Sequence, residues 1–128
     1  MYVLSITRLR VRSIWFMPRF GWYAFNSERQ ARKAKGIISV KVFPDKNRTF
    51  WTCSIWQDEK CMLDYMRSGN HKKAMPFLQI CADEARTGNV QVSSTEFPSY
   101  DELIEMLVKF GKPSKLKYPN ERHLNGIL

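Results

Sequence analysis

The chain has no apolar run long enough to cross a bilayer, no Cys-x-x-Cys pair, no glycine-rich phosphate loop and no nucleophile elbow. A spanning helix needs about 20 consecutive apolar residues. A secretory leader needs an apolar stretch where MYVLSITRLRVRS carries arginines. The expectation is a cytoplasmic protein with no membrane span. Cysteine is scarce and odd in number, at positions 53, 61 and 81. That count supports neither a disulfide framework nor a zinc site. Each of the three has apolar neighbours, so all are expected to be reduced, buried and inert. Histidine is scarcer still: His71 and His123 lie far apart, with no carboxylate-histidine spacing beside them, and a protein-only metal site is not expected.

Acidic residues are also few. Twelve Asp and Glu face 21 Lys and Arg, leaving a net charge of +9. Such a surface attracts anions in general. The cations are spread in local groups, Arg8–Arg10–Arg12, Arg29–Arg32–Lys33–Lys35 and Lys112–Lys115–Lys117, and no single tract reads as a nucleic-acid tail. A soluble basic surface is favoured over a dedicated nucleic-acid binder, which stays open as an alternative.

What is present is core material: 44% of 128 residues are hydrophobic, enough for one domain. Tyr2 to Arg12 alternates. Tyr2, Leu4 and Ile6 share one face with Arg8, Arg10 and Arg12, while Val3, Ser5, Thr7, Leu9 and Val11 share the other. Ser13 to Lys35 reads as mostly helical, with Gly36 as its stop. Ile37 to Phe43 is a strand, Pro44 to Asn47 a turn, and Arg48 to Trp56 a strand apolar on both faces. Asp58 caps a helix to Arg67, which Ser68–Gly69 ends. A helix is expected over His71 to Arg86, with Pro76 in its first turn. Asn89 to Phe97 reads as a fourth strand. Ser99 and Glu102 form a capping box for a helix with Leu103, Met106, Leu107 and Phe110 inward and Gly111 as its stop.

This order predicts an α+β protein: a ferredoxin-like split βαβ domain over 1–111, with a four-stranded antiparallel sheet and helices on one face. Residues 112–128 form a C-terminal arm without periodicity. The apolar helix-free face is expected to pack against a second copy, giving a homodimer with a shared interior.

The run TFWTCSIWQDEKCMLDYMRSGNHKKAMP, with the Arg29–Gln30–Ala31 helix and the Gly36 stop, resembles the dimeric α+β barrel superfamily. It looks closest to a bacterial group related to spheroidene monooxygenase and, more distantly, to antibiotic-biosynthesis monooxygenases. The resemblance covers Tyr2 to Phe97 and is sharpest from Trp51 to Pro76. It implies the barrel dimer and a monooxygenase-like function on a small apolar or aromatic ligand. The superfamily also holds haem enzymes and proteins of no known activity, so activity does not follow from fold.

His71 has three readings. It satisfies backbone groups at a helix start, orients a substrate or shuttles a proton as a catalytic residue, or ligates haem as its single cofactor contact. Trp51 and Trp56, with Trp15 and Trp22, are candidates for an aromatic pocket, against core packing as the plain alternative. Arg8, Arg10 and Arg48 are candidates to clamp an anionic group, against a solvated rim. Asp58 and Glu59 read as helix-start charges rather than an acid-base pair. The functional alternatives are a basic anion- or RNA-binding module and a non-catalytic ligand carrier or sensor.

Overall fold

The computed structural model describes all of residues 1–128. Strand β1 (Tyr2–Val11) leads through a 3-10 turn (Ile14–Phe16) into helix α1 (Met17–Arg32). Strands β2 (Ile37–Asp45) and β3 (Thr49–Trp56) follow, then helices α2 (Glu59–Met66) and α3 (Gly69–Cys81). Strand β4 (Ala82–Val92), helix α4 (Tyr100–Phe110), strand β5 (Lys112–Pro113) and helix α5 (Glu121–Leu124) complete the chain. The sheet is antiparallel and has five strands, ordered β2-β3-β1-β4-β5. No helix is long and apolar enough to cross a membrane.

Alternation along β1 and β3 gives the sheet two apolar faces. Leu4, Ile6, Trp51, Cys53 and Ile55 pack on one with Leu103 and Leu107. On the other, Leu9 and Val11 meet Phe20 of α1 and Phe77 of α3, and Val3 and Trp56 meet Met62 of α2. Helices therefore cover both faces rather than one. On the first face, the one expected to meet a second copy, α4 of the same chain packs through Leu103 and Leu107. Burying Leu103 and Leu107 there stabilises the docked helix by about 3–6 kcal/mol in all. Its capping box forms as expected from Ser99 and Glu102, and Arg86 binds its other end by donating to the carbonyls of Leu107, Val108 and Gly111. Phe110, expected inward, is exposed.

The third helix differs most from expectation. It begins at Gly69, so Pro76 lies inside it rather than in its first turn. Proline has no N–H for the Lys72 carbonyl, and Lys72 is exposed, where water can take that role. The helix ends at Cys81, and the chain turns directly into β4 at Ala82. Ala82 and Ala85 sit at helical spacing, but pairing with β1 from Val11 to Tyr2 outweighs their local preference. The strand expected over Asn89–Phe97 is therefore Ala82–Val92.

The C-terminal arm is not featureless. It adds β5 beside β4 and folds back as α5. His123 fastens it: Nδ1 accepts from the Ala85 N–H at 3.3 Å, and Nε2 lies 2.9 Å from the Ser114 carbonyl, to which it donates.

Candidate functional site

Helices α1, α2 and α3 do not close completely on the second sheet face. Between them and the sheet lies a cavity of about 120 Å³. That is comparable to the roughly 150 Å³ engineered cavity known to take one benzene ring. Its floor is unusual for a core. Ser5 is paired with Ser54 and Thr7 with Thr52 across β1 and β3, so hydroxyls stand where apolar side chains would complete the alternation. Phe20, Tyr23 and Ala24 of α1 supply one wall, and Ala74 and Leu78 of α3 another. Thr52 and Val42, both lining residues and both exposed, mark its mouth.

Trp56, Tyr65 and His71 form a run of mutually tilted rings along the cavity. The Trp56 and Tyr65 rings are 5.1 Å apart, and the Tyr65 and His71 rings 5.0 Å. Trp56 donates through Nε1 to Ser54 Oγ at 2.8 Å. Tyr65 donates its hydroxyl to the Ser27 carbonyl at 2.9 Å, and burial pushes its pKa up to about 12. Tyr65 is thus a neutral wall residue at ordinary pH, not a base.

His71 is held from two sides. Its Nδ1 lies 3.1 Å from the Met66 carbonyl. A carbonyl only accepts, so Nδ1 carries the proton and Nε2 presents a lone pair. No protein group bonds Nε2. Burial lowers the His71 pKa, against the opposing pull of the Met66 carbonyl, so the ring is neutral at pH 7. Its backbone N–H donates to Gln30 Oε1 at 3.0 Å. Helix α3 begins at Gly69, so His71 is the third helical residue, the position a capping side chain normally serves. Ser68, the N-cap by position, makes no side-chain cap bond; Gln30 takes that place from α1. The Gln30 amide also donates to the Ser68 carbonyl at 2.9 Å and, at a longer 3.4 Å, to that of Tyr65. Gly69, at φ +58°, makes room for it: a Cβ there would stand 2.9 Å from Gln30 Oε1.

The structure brings His71 and Trp56 together. It puts Trp51 on the opposite sheet face, where Nε1 donates to Asp45 at 2.9 Å and the ring stacks with Phe43. Tyr100 at the start of α4 also donates to Asp45, which holds that carboxyl below its usual range. Arg8 and Arg10 lie on Trp51's face in an open cleft, with Arg8 3.5 Å from Glu84 and Arg10 bonded to Asp83. Arg48 donates to the Val11 carbonyl at 3.0 Å. None of these four reaches the cavity. Trp15 and Trp22 are exposed and do not line the cavity. Cys53 and Cys81 are buried, with pKa values pushed up to about 11. Cys61 is only partly buried, contrary to expectation, and lines a separate cleft with Asp58.

Haem does not fit this cavity. Drug-sized ligands take roughly 300–1,000 Å³, a porphyrin is larger than those, and the space beside His71 is about 120 Å³.

Sequence reading missed the Ser5, Thr7, Thr52 and Ser54 floor, and with it Tyr65 and Gln30. The floor had a signal: hydroxyls two residues apart on one face of each of two paired apolar strands. Gln30 had none, because its partners are far away in the chain.

No protein-family model matches the chain, and no curated protein matches it by sequence. Solved structures do. A conserved protein from Methanosarcina mazei Go1 superposes with a TM-score of 0.64 at 18% identity, over 71% of this chain and 92% of that one. SnoaB, a cofactor-independent oxygenase from Streptomyces nogalater, gives 0.61 at 10% identity, over 77% of this chain and 98% of that one. An antibiotic biosynthesis monooxygenase gives 0.64 at 8% identity, over 72% and 99%. At these identities the likeness is one of fold alone.

Proposed function

We propose that the chain binds a single-ring aromatic molecule carrying an acidic hydroxyl, and oxygenates it without a bound cofactor. The observation that carries this reading is the lone pair of His71 Nε2, fixed by the Met66 carbonyl, at the wall of an apolar cavity with a hydroxyl floor. A neutral imidazole in that setting accepts a hydrogen bond from a phenol and takes its proton as the ring gives up electrons to dissolved O2, the oxidant; one oxygen atom enters the ring, the other leaves as water, and the phenol ends as the quinone. The reacting ring is held away from bulk water by Trp56, Tyr65 and Phe20. Floor hydroxyls at Ser5, Thr7, Thr52 and Ser54 are placed to donate to ring substituents. The fold shared with SnoaB, described as a cofactor-independent oxygenase, supports the oxygenase part.

Phenol is the test probe, titrated into the protein while binding is followed by NMR and dissolved oxygen by electrode. Binding is expected in the wild type and is expected to vanish in Ala74→Leu, which fills the cavity from α3. Oxygen uptake with phenolic substrates, abolished in His71→Gln, is expected of the enzyme. Binding without uptake across a panel of phenols contradicts the oxygenase reading and leaves a ligand carrier. Binding that survives Ala74→Leu contradicts the cavity itself.

A further inference from the structure

The cavity uses one side of α1. The other side, with the turn before it, faces solvent and is unusual. Ile14, Trp15, Trp22 and Phe25 are 64, 85, 59 and 58% exposed. Arg29, Arg32, Lys33 and Lys35 continue the same exposed surface towards the end of the helix. Trp22 with Arg29, and Phe25 with Arg32, are spaced seven residues apart, two helical turns, and so share the outward face. Between Ile14 and Lys35 the sole acidic residue is Glu28, which is part-buried and paired with Arg32. This surface therefore joins protruding aromatic side chains to an excess of cations, of which Arg32 alone forms an ion pair.

We propose that this face docks the protein on an anionic lipid bilayer. Tryptophan and phenylalanine seat at the level of lipid headgroups, and arginine and lysine beside them bind the phosphates. Charge weighs against a second copy of this chain as the occupant, because the copy would bring the same excess of cations, with only Glu28 and the flanking Asp58 and Asp64 to meet them. Single-stranded RNA is a poorer fit than lipid for two reasons. Ile14 and Pro18 offer no π-face for a base to stack on. The Arg29 guanidinium lies over the Phe25 ring at 5.8 Å, on a face a base would need. Aromatics at one end and cations at the other suit a helix that tilts its first turns into the headgroup layer. The docking residues point away from the cavity, so this proposal stands apart from the ligand reading.

The test is co-sedimentation of the full chain with vesicles of phosphatidylcholine, alone or mixed with phosphatidylglycerol. Binding is expected to the mixed vesicles, falling as salt rises. Replacing Trp15, Trp22 and Phe25 together by alanine should remove it. Arg29→Gln, Arg32→Gln and Lys33→Gln together should lower partitioning roughly a hundred-fold at low salt. The same charge change at exposed Lys112, Lys115 and Lys117 should leave most of the binding in place. Absence of binding to mixed vesicles overturns the proposal, as does an equal loss in the two glutamine variants. Tight RNA binding that the alanine variant loses, with vesicles unbound, assigns the face to RNA. A dimer in light scattering that the alanine variant converts to monomer, with vesicles unbound, assigns it to a second copy.

Discussion

Replacing Gln30 by alanine should loosen the junction that holds His71. The Gln30 side chain joins α1 to the start of α3 through three backbone contacts: the His71 N–H at 3.0 Å, the Ser68 carbonyl at 2.9 Å and the Tyr65 carbonyl at 3.4 Å. The Ser68 contact is exposed, so water replaces much of it. The His71 N–H is part-buried and belongs to the last unmet donor of a helix start, the kind of bond whose loss costs about 0.5–2 kcal/mol. Adding the two donated bonds at about 0.5 kcal/mol each, the low end for partly solvated bonds, gives a destabilisation of about 2 kcal/mol. For a domain of this size that is a fall in Tm of roughly 6–10 °C. Urea denaturation measures the energy, and the slope should stay as in the wild type because the surface exposed on unfolding is unchanged. Gln30→Glu should fall between the two, keeping an acceptor for His71 but setting a carboxylate against two carbonyls. A Gln30→Ala variant within about 0.5 kcal/mol of wild type would refute the assignment of Gln30 as the cap of α3, since that is the range of ordinary surface changes.

Gly69→Ala should be destabilised by more than about 1 kcal/mol in the same assay, because it combines a left-handed backbone at φ +58° with a Cβ 2.9 Å from Gln30 Oε1; in Gln30→Ala part of that cost should disappear. Stability should also depend on His71 in acid. Burial lowers its pKa in the fold, so the unfolded chain takes up a proton first, near pH 6.5. The contribution is complete above that pH and declines below it by at most about 1.4 kcal/mol per pH unit, levelling once the folded ring also protonates. His71→Gln should flatten that part of the profile; an unchanged profile would show that folding leaves the His71 pKa unshifted.

The sequence exposes some of this molecule and hides the rest for physical reasons. Alternation in Tyr2–Val11 and Thr49–Trp56, the Asp58 cap and the Ser99–Glu102 box are local, and each appears where local chemistry puts it. The α3–β4 boundary is not local. Ala82 to Arg86 suits a helix until β1 offers it a pairing partner. Covering of the first sheet face was legible as a need, since Trp51, Cys53 and Ile55 are apolar, but the sequence did not say that α4 would meet it. His71 was legible as the junction residue, and Trp56 as its neighbour. Trp51 was not separable from Trp56 by composition, although period two already puts residues 51 and 56 on opposite faces. The buried arginine and carboxylate contacts of Arg8, Arg10, Asp83 and Glu84 required the tertiary pairing of β1 with β4.

The central claim is that His71 presents a neutral Nε2 lone pair to a ligand in the sheet–helix cavity. Nitrogen-15 NMR of the two histidine rings, before and after phenol is added, reads it directly. At pH 7 His71 should show the tautomer protonated on Nδ1, and phenol should shift its Nε2 while leaving His123, which lies on α5 outside the cavity, unchanged. A His71 ring protonated on Nε2, or one whose nitrogens ignore phenol at saturating concentration, would contradict the account.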